Sequence, residues 1–264
     1  MTLPIRLKTT FHEKIWGATE LEPWFPRSQK KIGEVWFTGE SRLPVLVKFL
    51  FTADKLSVQV HPDGPQGKTE MWHILRAEPG AKVALGFREP ISRERLREAA
   101  RSGEIESLLQ WFPVKAGETY FTPAHTVHAI SGGIALCEIQ QNSDITYRLY
   151  DYGRARELHV DQAAAIADLR THPGPVRPEM ISAGRELLVG CDYFETEAVT
   201  LEQSEYTGHP ERDQFLIILE GRGRIADLPY QAGEVWLIPP EADRFRLVPE
   251  AASRALRVLA PVSS

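Results

Sequence analysis

The chain has 264 residues, 42% hydrophobic and 25% charged, an ordinary globular composition for one large or two small domains. Its 31 Lys and Arg are outnumbered by 36 Asp and Glu, and no basic run concentrates positive charge, which argues against a nucleic-acid partner held by phosphate neutralisation. No stretch approaches the ~18 apolar residues of a membrane span, the opening segment lacks the apolar core of a secretory signal, and Cys137 and Cys191 alone make neither a disulfide framework nor a thiolate zinc site. A cytoplasmic protein without a membrane partner is expected.

In chain order, segments 32–39, 44–51, 56–61, 71–75, 82–87, 118–123 and 134–140 are rich in Val, Ile, Phe, Tyr and Trp and read as short strands. Two helical segments interrupt or follow them. Segment 91–112 carries helical apolar spacing with Gly103 as a break, and 159–170 has Asp161 as N-cap before an alanine-rich turn. Pro173, Gly174, Pro175 and Pro178 mark a connection at 173–180 between an N-terminal domain, 1–172, and a C-terminal one, 181–264. Strands resume at 215–219, 235–239 and 255–260. Many strands and few helices predict a mostly-β chain of sandwiches or barrels.

An internal repeat sharpens this expectation. AGETYFTPAHTVH (116–128) aligns without gaps to AGEVWLIPPEADR (232–244), which suggests two copies of one strand–turn–strand unit and hence two related barrels.

Alternate strand residues share a face. In LSVQVHP, Leu56, Val58 and Val60 point one way, toward a core, and Ser57, Gln59 and His61 the other. Glu70 opens the next strand, and Pro-Ala-His-Thr-Val-His delivers His128 at the entrance to another. Gln59, His61, Glu70 and His128 supply two imidazoles, a carboxylate and an amide oxygen. That set suits a divalent first-row metal, zinc before manganese, iron or cobalt, with room left for water or substrate. Any one of the four alone has an ordinary structural reading; their order resembles the two-part cupin metal motif. In the second copy, Thr207, His209 and Gln214 stand at the HxHxxxxE spacing of the cupin motif and Arg244 stands in the place of His128, so no metal is expected there.

Taken together, VLVKFL, LSVQVHPDG, GKTEMWHIL, AGETYFTPAHTVHAI and LCEIQQNSDITYRLYDYGR resemble the type I mannose-6-phosphate isomerases, from about residue 10 to 170, with looser agreement beyond. The resemblance implies two cupin-type jelly-roll barrels with short helical segments, one zinc ion per chain, and a sugar-phosphate substrate interconverted between mannose 6-phosphate and fructose 6-phosphate. It places the metal on Gln59, His61, Glu70 and His128, catalysis on Arg148, Asp144 and Lys68, and substrate binding on Lys48, Lys68 and Arg148. His73 and His125 stand where many bacterial relatives carry Tyr and Gly.

The residues themselves leave alternatives open. Lys48 interrupts an apolar strand and needs an anion, either a neighbouring carboxylate or the substrate. Asp144, Thr146 and Arg148 share parity, as a pocket face or as a structural Asp–Arg pair. Lys68 lies in a Gly-flanked loop and reads as solvated unless it serves the site. His73 has opposite parity to Glu70 and should point away. His125 lies in the turn before His128, the direction of Glu138 is undecided, and His12, His159 and His172 have no convergent partners. Asp144 and a metal-held hydroxide are the candidates for the general base. An iron-dependent cupin oxygenase and a non-catalytic sugar-binding cupin are the rival readings, and the sequence is silent on oligomeric state.

Overall fold

The computed structural model describes residues 3–207, 209, 211–240, 242 and 245–261. Four antiparallel sheets carry nearly all of the structure, so the mostly-β expectation is met. A six-stranded sheet runs in the order Lys8–Ala18, Ile32–Thr38, Val45–Thr52, Ile134–Gln141, Glu70–Ala77, Thr119–Thr122. A five-stranded sheet runs Tyr147–Tyr150, Val58–Val60, His128–Ile130, Lys82–Phe87, Leu109–Pro113. The two enclose a shared core that includes Trp72, Ile74, Val83, Leu85, Tyr120 and Leu136. On the far side of the five-stranded sheet, helices Arg93–Ser102 and Val160–Ile166 lay Leu96, Ala99, Ala163 and Ala164 on Val58, Val60 and Phe87.

The C-terminal half repeats the plan. A seven-stranded sheet, Ile5–Arg6, Val235–Ile238, Gln214–Glu220, Ser253–Leu259, Glu195–Leu201, Arg185–Gly190, Glu179–Ser182, faces a four-stranded one, Glu205–Thr207, Phe245–Pro249, Arg222–Ile225, Leu228–Gln231. The six- and seven-stranded sheets pack face to face through Phe37, Val47 and Phe49 against Phe215, Ile217 and Val258. Strand Val45–Thr52 is therefore buried at all eight positions. Val45, Val47, Phe49 and Phe51 meet the second half, and Leu46, Lys48 and Leu50 face the inside of the first.

The repeat holds at the level of register. One row across the six-stranded sheet reads Trp36, Lys48, Glu138, Trp72, Tyr120. Its counterpart in the seven-stranded sheet reads Leu187, Glu197, Arg257, Leu216, Trp236. Tyr120 and Trp236, matched in the sequence repeat, each donate to the glutamate two residues earlier, Glu118 at 3.0 Å and Glu234 at 3.1 Å.

Some expectations are corrected. Segment 109–112 is not helical. Leu109–Pro113 is a strand paired with Lys82–Phe87, because Trp111 and Phe112 suit a pleated surface and Pro113 sits at its free end. The helix before it ends at Ser102, where Gly103 takes the left-handed φ of 84° that a C-cap requires, and a four-residue helix, Ile105–Leu108, follows. Asp161 is not an N-cap; His159 holds that position, and Asp161 lies in the first turn, 3.0 Å from Arg97 Nε. Leu56 precedes the strand proper and packs in the inner core with Trp16 and Leu50, not with Val58 and Val60. Strand Glu179–Ser182 begins inside the 173–180 connection, and Ile5 and Arg6 pair with Leu237 and Trp236. Among the described residues, no helix is long and apolar enough to cross a membrane.

Phe49, fully buried where the two halves meet and edge-on to Phe25 and Phe37, tests this arrangement. Phe49→Ala is expected to lower stability by about 3–5 kcal/mol in urea unfolding; a loss below about 1 kcal/mol would mean that the two sheets do not share one core.

Candidate metal centre

Three of the predicted ligands come from the five-stranded sheet and its continuation, and the fourth from the sheet facing it. Gln59 pairs in register with His128 on one side and with Arg148 on the other. His61 follows one residue beyond Val58–Val60, and Glu70 opens Glu70–Ala77 across the gap. His61, Glu70 and His128 are buried, with ligand atoms all within 4.8 Å of one another. His61 Nε2 lies 3.8 Å from Glu70 Oε2, and His128 Nε2 lies 3.6 Å from Oε1.

Both imidazoles are oriented from behind. His61 Nδ1 donates to the Ile145 carbonyl and His128 Nδ1 to the Thr126 carbonyl, each at 2.8 Å, which directs both Nε2 lone pairs at Glu70. Glu70 Oε1 accepts no hydrogen bond, whereas Oε2 is paired with Lys68 Nζ at 2.7 Å. The Gln59 amide lies 3.2 Å from His128 Nε2, with its other end 3.0 Å from Ser57 Oγ. Turning the amide over presents its oxygen to the cluster and its NH₂ to the serine. An under-partnered buried carboxylate and two lone-pair nitrogens form a donor set that fits a divalent cation.

The electrostatics agree. Burial pushes Glu70 up to about 7, with Glu138 adding to it and Lys68 working against it. Burial holds His128 down to about 4 and His61 well below the ordinary histidine value, so both rings are neutral at pH 7, as metal ligation requires.

Two lysines close the pocket. Lys68 is buried, not solvated, with Nζ 3.5 Å from His61 Nε2 and 3.8 Å from Glu138 Oε2. Lys48, 2% exposed, places Nζ 3.4 Å from Glu138 Oε2, 3.9 Å from Asp144 Oδ1 and 4.5 Å from the Trp36 ring centroid. Glu138, undecided in the sequence, joins both lysines and accepts from Trp72 Nε1 at 3.2 Å. Burial pushes its carboxyl up, but Lys68 and Lys48 outweigh burial and pull it to about 2. Burial lowers the Lys68 ammonium, and Glu138 and Glu70 more than reverse this, holding it above the ordinary lysine range.

Arg148 and Asp144 do not pair with one another. Arg148 donates from Nε to Ser57 Oγ at 3.3 Å and from Nη1 to the Glu157 carbonyl at 2.9 Å, and no described residue hydrogen-bonds its Nη2. Asp144, Thr146 and Arg148 do not share one strand, which starts at Tyr147, and Asp144 sits in the preceding loop with its side chain 70% exposed; their side chains still reach the same pocket, at Lys48, His61 and Ser57. Ser57, assigned to the right face but given no role, links Gln59 to Arg148.

The remaining histidines separate cleanly. His73 points away from the cluster, bonds Thr119 Oγ1 at 2.9 Å, and lines a small cavity of about 190 Å³ against Arg254 and Arg185 of the second half. His125 takes a left-handed φ of 73° and donates its backbone N–H to the His61 carbonyl at 2.9 Å. His12 stacks on Trp36 and His172 bonds the Phe121 carbonyl, whereas His159 Nδ1 accepts the Arg148 backbone N–H at 3.3 Å. In the second half, Arg244 and the Thr207 side chain lie outside the described residues. Gln214 accepts from Arg257 Nε at 3.1 Å, and His209 Nδ1 accepts from the Glu211 N–H at 3.3 Å.

Paired antiparallel sheets with a His–Glu–His cluster between them define a metal-binding, cupin-type β protein. No family model matches the chain. It is 32% identical to the mannose-6-phosphate isomerase of Streptococcus mutans over 85% of this chain and 87% of that protein. The crystal structure of the mannose 6-phosphate isomerase from Bacillus subtilis superimposes with a TM-score of 0.87 at 25% identity, covering 97% of this chain and 99% of that one. A zinc-bound mannose 6-phosphate isomerase shares the fold, with a TM-score of 0.80 at 17% identity over 99% of this chain and 100% of that one. The chain belongs to the mannose-6-phosphate isomerase family.

His73 supplies a pH test away from the metal cluster. Burial, then Arg254, lowers it to about 4, so its neutral form contributes stability that is present above the ordinary value of 6.5 and lost as pH falls toward 4. His73→Gln removes the titration, so its stability should fall less steeply than the parent's between pH 6.5 and 4, by up to ~1.4 kcal/mol per pH unit. Parallel urea-midpoint profiles for the two proteins would contradict the assignment.

Proposed function

We propose that this chain interconverts mannose 6-phosphate and fructose 6-phosphate through a cis-enediolate, with one zinc ion held by Gln59, His61, Glu70 and His128. The observation that carries this reading is the pair of Nε2 lone pairs aimed at an under-partnered glutamate, beside two buried lysines. Its relatives' names point the same way. The paired sheets of the first half form the catalytic unit, and those of the second a metal-free one. The substrate is a small diffusible sugar phosphate of the cytoplasm, with no nucleic-acid or membrane partner.

Isomerisation moves a proton between C2 and C1 and builds negative charge on the two oxygens. A bound zinc ion supplies Lewis acidity toward the sugar oxygens. Arg148 Nη2 holds the phosphate end, with the buried Ser57 hydroxyl bracing its Nε. Lys48 and Lys68, fixed on Glu138, present positive charge toward the reacting oxygens without reorganising. Asp144 is the proposed base: Glu138 is held by both lysines and Trp72, whereas Asp144 has one long contact and stands at the mouth. An oxygenase would use the same ligands and leave the Lys48–Glu138–Lys68 group without a purpose.

His61→Ala and His128→Ala should each lose a metal content of about one ion per chain and their turnover of mannose 6-phosphate, while circular dichroism stays that of a folded β protein. His209→Ala should keep both within about twofold. Unchanged metal content in both site variants would end this reading, as would loss of metal in His209→Ala.

Arg148→Lys keeps the charge but not the planar fork, and a ~10²–10³-fold fall in kcat/KM is expected. A folded Arg148→Lys protein with parental kinetics would remove Arg148 from the site.

A further inference from the structure

The segment that follows Arg148 carries a charge cluster around one buried carboxylate, for which the proposed chemistry has no use. Asp151 is 2% exposed, and burying a carboxylate is costly unless it is closely paired. Arg156 grips it as a fork, Nε to Oδ2 and Nη2 to Oδ1, both at 2.6 Å. Arg154 adds a longer contact at 3.4 Å and ties the turn to the Lys55 carbonyl at 2.7 Å and to Asp54 Oδ2 at 3.0 Å. Tyr152 and Gly153, with φ of 55° and 78°, make the turn between them.

This clamped turn leads straight back to Arg148. Glu157, next to Arg156, accepts Arg148 Nη1 on its carbonyl at 2.9 Å. His159 donates its backbone N–H to the Arg148 carbonyl at 2.7 Å and accepts the Arg148 N–H on Nδ1 at 3.3 Å. With Nη1 on Glu157 and Nε on Ser57, the plane of the guanidinium is fixed from two sides and Nη2 is the edge presented to a ligand.

We infer that Asp151 and Arg156 are positioning residues: the fork of Arg156 on the buried Asp151 carboxylate sets the Glu157 carbonyl and, through it, aims the Arg148 guanidinium. The inference rests on the reading of Arg148 as a substrate contact. Neither residue touches substrate. A pair that served stability alone would be worth the same whether or not Arg148 were present, and would lower the melting temperature without moving kinetics.

The test uses the metal-loaded full chain, with kcat and KM for mannose 6-phosphate, metal content and melting temperature measured for Asp151→Asn, Arg156→Ala, Arg156→Lys, Arg148→Ala and Asp151→Asn/Arg148→Ala. Asp151→Asn and Arg156→Ala should each lose ~10–100-fold in kcat/KM at unchanged metal content, the range expected for a group displaced by about 1 Å. Added guanidinium ion should restore Arg156→Ala, and Arg156→Lys, with charge but no fork, should stay impaired. In the Arg148→Ala background, Asp151→Asn should cost less than about twofold. If Arg148→Ala is impaired while Asp151→Asn and Arg156→Ala keep parental kcat/KM at a lower melting temperature, the inference falls and the role of Arg148 stands. Full additivity in the double variant would also overturn it. If Arg148→Ala itself has parental kinetics, the substrate-contact reading falls and takes the inference with it. Should Asp151→Asn not fold, the guanidinium response of Arg156→Ala decides alone.

Discussion

The Lys48–Glu138 ion pair sits at the centre of the row on which the six-stranded sheet is built, and the pocket is organised around it. Lys48 lies in a strand buried at every position, and its ammonium is turned away from bulk water. An unpaired charge there would cost several kcal/mol, and the cost is met by a carboxylate placed directly opposite in register. Once Glu138 is committed to Lys48, its remaining negative field holds Lys68, and Lys68 in turn meets Glu70. Glu70 is thus the last member of a chain of alternating charges that begins in the sheet core. Trp36 on one side of Lys48 and Trp72 above Glu138 exclude water from it.

The second half builds the same frame from a different set of polar residues. At the register positions of Lys48 and Glu138 stand Glu197 and Arg257, an ion pair of reversed polarity at 3.2 Å. At the position of Glu70 stands Gln214, a neutral group bonded to Arg257 Nε. The buried row still balances its charge, with glutamate and arginine in place of lysine and glutamate and an amide in place of Glu70. Arg185 also pairs with Glu197, so the carboxylate is satisfied from two sides. A polar row inside a sheet sandwich is compatible with the fold in either polarity, which lets one half keep a ligand set while the other becomes a packing partner.

Much of this was legible in the sequence because one face of most strands is wet or polar. The alternation in Val58–Gln59–Val60 placed Gln59 and His61 correctly, and opposite parity sent His73 away from Glu70. Where a strand is buried on both faces the alternation vanishes. Ile134–Gln141 is buried throughout, and the direction of Glu138 could not be read from it; its register with Lys48 is a tertiary fact. Lys68, flanked by glycine in a polar loop, carried the local signature of a solvated side chain, and the fold buries it by closing that loop over Glu70. Leu108 and Leu109 continue a helical period, so the step from helix to strand at 109 has no local marker before Pro113. The tie between Arg148 and the Asp151–Arg156 fork depends on a turn bringing Glu157 back beside its own strand, which spacing alone does not specify.

Charge balance joins the pocket to the class of substrate it suits. With Glu70 ionised, Lys48 and Lys68 against Glu138 and Glu70 sum to zero, so the interior without a ligand carries paired charges and no net charge. The burial that lifts Glu70 to about 7 shows how close its charge is to being lost, and a divalent cation beside it would hold it ionised. With that cation the cluster carries two positive charges; at the exposed rim Arg148 adds one and Asp144 removes one, so the excess stays at two. A phosphorylated sugar brings a dianion for the rim and, during isomerisation, a further charge for the interior. A neutral sugar would leave the positive excess unanswered. The same set of buried pairs that lets the sheet fold therefore creates, on loading with metal, a preference for an anionic substrate.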